Sequence, residues 1–513
     1  MTTDPMHGSL NRSRHLLALV AVIMTSPLQA AEKWAVTGWN NLGMHCMDSD
    51  YSVFSILPPS NTLHAQVIYS TGTTSTNMVT NLMTGADGIR VTYEAVADST
   101  GSINKSSIGK TNFWTHAKDL YGTDLLPDKG LSGASMPGAA NTPQAFSWDA
   151  VNGCFTADGI PIVPKDDAGK KNFYPMMRLK AYDSTNTLRA QTSVVLPVSD
   201  EMDCRSCHGS NAKLDDAQPF DGWVNDPNPE RDFRLNILRL HDEVLLGTGL
   251  YQQSLAAKSY REDGLFKTVT EGGKPILCAA CHSSGALPGS GYAGVSPLTQ
   301  ALHSTHARVI DPDNGLTLGS EKNRSACYQC HPGSETNCLR GAMGSAVAAD
   351  GTRSMQCQSC HGSMMKVGAP DRTGWVDEPS CQQCHTGTAI SNNGAIRYTS
   401  AFEASGLPRV AVNQTFATNP NSPTVGKSLY RASEGHGGLK CQACHGSTHA
   451  EYPAGPNDNV QSIALQGHEG VLAECSACHA VTPPSSTAAQ YTGGPHGLHP
   501  MTTTWGSSTH ESS

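Results

Sequence analysis

The chain has 513 residues, of which 38% are hydrophobic and 6% aromatic, and its formal net charge is −9. Its length exceeds that of one ordinary domain, and the balance of 35 basic against 44 acidic residues argues against a nucleic-acid-binding protein. The small apolar fraction indicates either partial disorder or a non-protein component in the core. The 17 cysteines and 21 histidines are the unusual counts.

The N-terminus has the pattern of a secretory signal. Arg12 and Arg14 precede an apolar run from Leu16 to Met24, and small residues follow up to Ala30. The run is too short to cross a bilayer. We therefore predict a signal peptide over residues 1–30, with cleavage after Ala30, and export to the periplasm, the outer-membrane surface or the extracellular space. No other run reaches about 18 apolar residues, so the sequence predicts no transmembrane segment.

Residues 31–200 have the pattern of a β domain. Short runs with β-branched residues and partial alternation predict strands at 34–38, 64–69 and 89–96. Residues 174–182 and 188–197, separated by a polar turn, predict a hairpin. The fold class predicted here is a β-sandwich-like domain.

Residues 201–513 differ in character. One amphipathic helix is predicted over Arg231–Leu246, and the remainder consists of short helical segments joined by loops rich in Gly, Ser and Pro. Such a segment would struggle to offset its chain entropy without a cofactor. The sequence therefore predicts a mostly irregular, short-helix domain packed around a cofactor.

The pattern Cys-x-x-Cys-His occurs seven times in this second part, where chance would give about 0.02 copies. Two cysteine thiols at this spacing add to the two vinyl groups of haem, and the adjacent histidine binds the iron. Paired zinc ribbons are the rival interpretation, but seven is an odd number and zinc does not require the histidine. The predicted cofactors are thus seven covalently attached c-type haems. The motifs, numbered one to seven in chain order, are Cys204/Cys207/His208, Cys278/Cys281/His282, Cys327/Cys330/His331, Cys357/Cys360/His361, Cys381/Cys384/His385, Cys441/Cys444/His445 and Cys475/Cys478/His479.

A second axial ligand decides whether each haem transfers electrons or keeps an open site. Residues four apart on a helix share one face, so His449 cannot bind the far side of the haem held by His445. The same reasoning gives His303 and His306 to two different haems. His45 and His64 are interpreted as core residues, with ligation across the domain interface as the alternative. The predicted second ligands are His241, His303, His306, His436, His449, His468 and His496, with His510 in reserve.

Three cysteines lie outside the motifs. In an oxidising compartment, one pair among Cys46, Cys154 and Cys338 is expected to form a disulfide. The sequence leaves all three pairings open.

Several segments resemble large multihaem c-type cytochromes exported by metal-reducing and related bacteria. The likeness is carried by the motifs and by residues 38–48 (GWNNLGMHCMD), 196–204 (LPVSDEMDC), 436–453 (HGGLKCQACHGSTHAEYP) and 493–500 (GGPHGLHP). It implies respiratory or extracellular electron transfer. It also implies redox partners such as other cytochromes, an outer-membrane electron-transfer complex or extracellular metal acceptors.

The sequence thus favours a non-catalytic electron carrier with mostly bis-histidine haems. One alternative is a multihaem reductase of a small nitrogen or sulfur oxyanion with one open haem. Another is self-assembly as the subunit of a haem filament, for which His45 or His64 of a neighbouring subunit would supply a ligand.

Overall fold

The computed structural model describes residues 30–74, 77–345, 355–372, 405, 431, 434, 436–452 and 454–481. Its architecture is mixed, with several small sheets and mostly short helices. The strands are β1 (Ala31–Asn40), β2 (His45–Cys46), β3 (Phe54–Ser55), β4 (Asn61–Gly72), β5 (Val79–Met83), β6 (Arg90–Val96), β7 (Gln144–Ala145), β8 (Ser147–Asp149), β9 (Cys154–Ile160), β10 (Met176–Tyr182), β11 (Leu188–Val195), β12 (Val198–Ser199), β13 (Ile276–Leu277), β14 (Gly446–Ser447) and β15 (Ala450–Glu451).

Two larger antiparallel sheets share one core. The first has the order β1-β4-β9-β8 with β5 paired to β4, and the second has the order β11-β10-β6-β7. Val36 and Leu63 of the first sheet pack in the same apolar cluster as Val91 and Leu179 of the second. A Cβ on Gly38 would lie 2.7 Å from Leu179 Cδ2, so glycine is required where the two sheets approach.

The predicted strands of this part are confirmed. Residues 34–38 lie in β1, residues 64–69 lie in β4, and residues 90–96 form β6. The predicted hairpin is β10 and β11, which pair antiparallel on either side of the turn.

The predicted amphipathic helix is also confirmed, and it begins two residues earlier, at Pro229. The Asn228 side chain caps it by accepting a hydrogen bond from the Glu230 amide. The helices are α1 (Phe113–Tyr121), α2 (Arg205–His208), α3 (Pro229–Leu245), α4 (Gly249–Ala257), α5 (Leu265–Thr270), α6 (Cys278–Cys281), α7 (Leu298–His306), α8 (Gly341–Ser345), α9 (Cys357–His361), α10 (Met364–Val367), α11 (Cys441–His445) and α12 (Val460–Gln466), with 3-10 turns at Gly85–Asp87, Asp215–Ala217, Ala326–Gln329, His436–Gly438 and Cys475–Ala477.

A second core joins the two parts of the chain. Phe54 of β3 pairs in parallel with Ile276 of β13, and both pack against Phe233 and Leu238 of α3. Beyond these helices the described apolar clusters are small: one consists of Ala307, Leu318, Ala326 and Met364. The described part of the chain contains no helix long and apolar enough to cross a membrane.

Candidate haem sites

Each of the six described Cys-x-x-Cys-His motifs contains a short helical turn. In motif one the His208 amide donates to the Cys204 carbonyl at 2.9 Å, and motifs two, three and seven close in the same way at 2.8–3.0 Å. This turn brings the two thiols and the imidazole of a motif to one side of the backbone. Motif five (Cys381, Cys384 and His385) lies outside the described residues.

The second cysteines of motifs one and four, Cys207 and Cys360, are half-buried and form no disulfide within the described chain. Cys207 Sγ accepts a hydrogen bond from the Ser206 hydroxyl at 3.8 Å, whereas Cys360 lies inside α9. The sequence predicts both as haem-attachment residues. Haem attachment at these two cysteines and at the other motif cysteines stays a prediction.

Five motif histidines each face one of the histidines predicted as second ligands. The members of each pair come from different parts of the chain, and their ring centroids lie 5.9–6.5 Å apart. The pairs are His208 with His306 (6.3 Å), His282 with His241 (6.5 Å), His331 with His303 (6.1 Å), His361 with His449 (6.1 Å) and His479 with His436 (5.9 Å).

These separations fit one metal ion between the two rings. A metal–imidazole bond of about 2 Å and ring bonds of about 1.3 Å give about 6.3 Å between the centroids of two imidazoles on opposite sides of one ion. Aromatic rings in ordinary edge-to-face contact also lie at such distances. What distinguishes these pairs is that each of the five joins a motif histidine to a histidine predicted as a second ligand. Groups of three or more His, Cys, Asp or Glu that could hold a metal ion do not occur among the described residues, so the recurring arrangement is a pair.

The hydrogen bonds of four of the ten paired histidines leave their Nε2 atoms available. Nδ1 of His303 lies 2.7 Å from the Thr299 carbonyl, and Nδ1 of His449 lies 2.9 Å from the Leu42 carbonyl. His282 and His306 make the same kind of bond, to the carbonyls of residues 296 and 302. Because a carbonyl only accepts, Nδ1 must carry the proton, and the lone pair of the neutral ring is then on Nε2. That tautomer is the one that binds a metal through Nε2.

Burial favours the neutral, ligand-competent form of these rings. Burial, together with a nearby histidine, lowers the pKa of His208, His241 and His331 to about 4. Burial, together with the charge of His449, lowers the pKa of His361 to about 3. These four imidazoles are therefore neutral at pH 7.

Closely spaced histidines face different motifs, as the helix geometry predicts. On α7, His303 faces motif three, whereas His306 faces motif one. His449, four residues after His445 of motif six, faces motif four. His436, just before motif six, faces motif seven. One turn of chain thus links two neighbouring sites.

The motifs themselves also touch. Cys204 and Cys278 pack on the same apolar cluster, which brings motifs one and two together. Cys327 and Cys357 of motifs three and four lie close together, and the interaction of their thiols raises the pKa of Cys327 and lowers that of Cys357. Motifs six and seven meet through Cys444 and Cys478.

Motifs one and three are neighbours as well. Burial, together with the nearby thiols of Cys204 and Cys207, raises the pKa of Cys330 to about 12. His303 and His306 on α7 link the same two motifs. The spatial order of the described motifs is therefore two, one, three, four, six, seven.

Two predicted ligands are not placed opposite a described motif histidine. His468 bonds through Nδ1 to the Glu469 carbonyl, and its Nε2 lies 3.7 Å from a Glu474 oxygen. His496 lies outside the described residues, as does His510. In motif six, His445 Nδ1 lies 3.7 Å from Glu451 Oε1.

The segment 40–43, which begins at the last residue of β1, provides four consecutive backbone carbonyls to the second part of the chain. Each accepts a hydrogen bond from a different side chain: Asn40 O from Ser447 at 2.8 Å, Asn41 O from Gln442 at 3.0 Å, Leu42 O from His449 at 2.9 Å and Gly43 O from Arg340 at 3.0 Å. We call this segment the carbonyl loop. Sequence reasoning missed its role, although the segment lies within residues 38–48, one of the stretches that carry the resemblance.

The three remaining cysteines are all thiols in the structure, so the disulfide expected from the sequence is not formed there. Cys154 is buried in β9, with its sulfur 3.7 Å from His64 Nδ1. Cys46 follows the carbonyl loop, and burial together with the nearby Cys338 raises the pKa of its thiol. Cys46 and Cys338 are thus neighbours, whereas Cys154 lies in the sheet.

Glu201 holds the segment that precedes Cys338. Its carboxylate accepts hydrogen bonds from the Ser334 hydroxyl and from the amide of Thr336. Glu201 lies two residues after the end of β12, which pairs with β2. The segment that carries Cys338 therefore lies beside the strand that carries Cys46.

The chain matches no known protein-family model, no curated protein and no solved structure. The histidine pairs and the seven motifs are therefore the basis for assigning a function.

Proposed function

We propose that this protein is an exported c-type cytochrome that carries seven covalently attached haems and passes electrons along them. The observation that carries the proposal is the set of five histidine pairs with centroids 5.9–6.5 Å apart, each joining a motif histidine to one from elsewhere in the chain. In each pair the two Nε2 atoms would be the axial ligands. Haem iron would supply one-electron chemistry there.

Paired ligands favour electron transfer over catalysis. Two strong imidazole ligands leave no position on the iron for a substrate, and low-potential, six-coordinate haems are suited to electron transfer. In this proposal His208, His282, His331, His361 and His479 would bind each iron from the motif side, and His306, His241, His303, His449 and His436 would bind it from the other side.

The contacts between motifs support a path for the electrons. Tunnelling rates fall steeply with the distance between haem edges, so neighbouring haems must lie close together. The order two, one, three, four, six, seven gives each described motif a neighbour through closely spaced histidines, the proximity of two motif cysteines or a shared apolar cluster. Among the described motifs, two and seven lie at the ends of this order, while motif five lies outside the described residues.

The two packed sheets would serve as a β-sandwich-like scaffold. Their carbonyl loop bonds to side chains at both ends of motif six and to Arg340, which fixes the haem-bearing part on the scaffold. Partners in this proposal are other cytochromes, an outer-membrane electron-transfer complex or extracellular metal acceptors.

The direct test is to count and characterise haems in protein exported by a host that attaches haem c. We expect the intact mass to correspond to seven haems without residues 1–30, and the oxidised protein to give mainly low-spin iron signals by EPR. A haem-free protein, or one whose iron is mainly high-spin, would contradict the proposal.

The same preparation separates the alternatives. One stoichiometric high-spin haem, together with turnover of nitrite, hydroxylamine or tetrathionate, would favour the reductase. Ordered fibres in electron micrographs would favour a filament, and monomers alone would exclude it.

A further inference from the structure

We propose that Arg340 is the positioning residue for His449, the second ligand of the motif-four haem, and acts by fixing the carbonyl loop. This inference rests on the proposed function, because it concerns the orientation of a haem ligand. Arg340 itself lies in neither a haem motif nor the set of paired histidines.

Arg340 holds His449 from two directions. Its backbone amide donates to the His449 carbonyl at 2.8 Å, which fixes the main chain of the ligand. Its guanidinium donates to the Gly43 carbonyl at 3.0 Å, next to the Leu42 carbonyl that accepts from His449 Nδ1. One residue therefore sets both the position of the ligand backbone and the acceptor that orients the imidazole.

The carbonyl loop is shaped to receive the ligand. Gly43 has a φ of +88°, and a Cβ there would lie 3.0 Å from the Cβ and the amide nitrogen of His449. A side chain at this position would push the two segments apart as well as strain the backbone. The approach of His449 thus depends on a loop conformation that Arg340 holds from the other side.

The guanidinium is fixed in turn by Asp458 and Tyr174. Its Nε and Nη2 donate to the two carboxylate oxygens of Asp458 at 2.9 and 3.0 Å, in the bidentate geometry that only arginine provides. The Tyr174 ring lies 4.9 Å from the guanidinium carbon. Arg340 and Asp458 are both buried, so water does not compete for these bonds.

The test compares Arg340→Met and Arg340→Lys in the full, haem-loaded chain. His449→Ala serves as the reference, because removing the ligand identifies the EPR signal of its haem. In Arg340→Met we expect that one signal, from one haem in seven, to shift or become partly high-spin. The potential of the same haem should fall, since the cation is lost and Asp458 is left nearby. Arg340→Lys keeps the positive charge but cannot form the bidentate pair with Asp458. This variant should therefore preserve the potential of the haem, while the orientation of His449 changes.

A matched control is Arg234→Met. Arg234 is also a buried arginine that joins the two parts of the chain, but its hydrogen bonds go to Ser49 and Glu230. The Arg234→Met variant should leave the His449-dependent EPR signal unchanged, even if the substitution destabilises the fold.

The outcomes are distinct. Wild-type protein without haem would overturn the proposed function and this inference together. Wild-type protein with seven haems, whose Arg340 variants keep the His449-dependent signal and its potential, would overturn the inference alone. If Arg340→Met fails to fold, Arg340→Lys decides: a single-haem change supports the positioning role, and an unchanged signal rejects it.

Discussion

The imidazole rings of His303 and His331 lie 6.1 Å apart and within 11° of parallel. The rings of His208 and His306 are separated by a similar distance but are inclined at 80°, and those of His241 and His282 at 84°. One of the five pairs is therefore nearly parallel and two are nearly perpendicular, while His361 with His449 and His436 with His479 are inclined at 44° and 63°.

Ligand-plane angle predicts the EPR spectrum. Parallel imidazole planes separate the iron d orbitals in energy, whereas perpendicular planes leave two of them nearly equal. We expect a rhombic low-spin signal that disappears in His303→Ala. We expect strongly anisotropic signals, each with one large g value, that disappear in His306→Ala and in His241→Ala. If the three variants each lose a signal of the same type, the assignment of ligand-plane angles from the ring geometry is wrong.

His436 and His468 should differ as ligands. His436 faces His479 at 5.9 Å, whereas His468 bonds to the Glu469 carbonyl and lies near Glu474. We expect His436→Ala to convert one haem to high-spin iron and His468→Ala to leave the low-spin count unchanged. Quantitative EPR of the oxidised variants measures both. If His468→Ala instead produces a high-spin haem, His468 is a haem ligand, as the sequence predicts.

Cys46 and Cys338 should form the disulfide once the protein is exported to an oxidising compartment. They lie on neighbouring segments that Glu201 helps to hold together, while Cys154 is buried beside His64. Peptide mapping of unreduced exported protein should find Cys46 joined to Cys338 and Cys154 as a thiol. Cys338→Ser should then lower the free energy of unfolding by about 2–5 kcal/mol, and Cys154→Ser should preserve the crosslink. A peptide joining Cys154 to either partner would refute this pairing.

His64 should make the scaffold acid-sensitive. Burial lowers its pKa from 6.5 to about 4, so the unfolded chain takes up this proton first as the pH falls. The stability that depends on neutral His64 is complete above about pH 6.5 and is lost as the pH falls to about 4, by about 3 kcal/mol at 1.4 kcal/mol per pKa unit. Denaturant unfolding at pH 7 and pH 4 should show a smaller loss in His64→Gln than in wild type. His116→Gln, at a partly exposed site on α1, should match wild type; equal pH profiles for His64→Gln and wild type would exclude the effect.

Removal of haem should affect the two parts of the chain differently. The two sheets share an extensive core of their own, whereas the clusters near motifs three, four, six and seven contain few buried apolar residues. In a strain that cannot attach haem, limited proteolysis should leave a fragment near residues 31–200 and digest the remainder. A protease-resistant haem-free form of residues 201–513 would contradict this expectation.

The sequence by itself determined the local features of the protein. The seven motifs, the main strands of the two sheets and the helix α3 depend on spacing and periodicity within short windows, where local geometry suffices. Five of the seven histidines predicted as second ligands stand opposite a motif histidine, because a surplus of histidine in a motif-rich segment is itself visible in the sequence.

Only the tertiary structure decided which histidine faces which motif. His306 could be assigned to a different motif from His303 by helix geometry, but nothing local indicated motif one. The roles of the carbonyl loop and of Arg340 could not be predicted from the sequence either, because a backbone carbonyl that accepts a hydrogen bond has no sequence signature. Leu42 accepts from His449, 407 positions along the chain, and such a contact exists only after both parts of the chain have packed together.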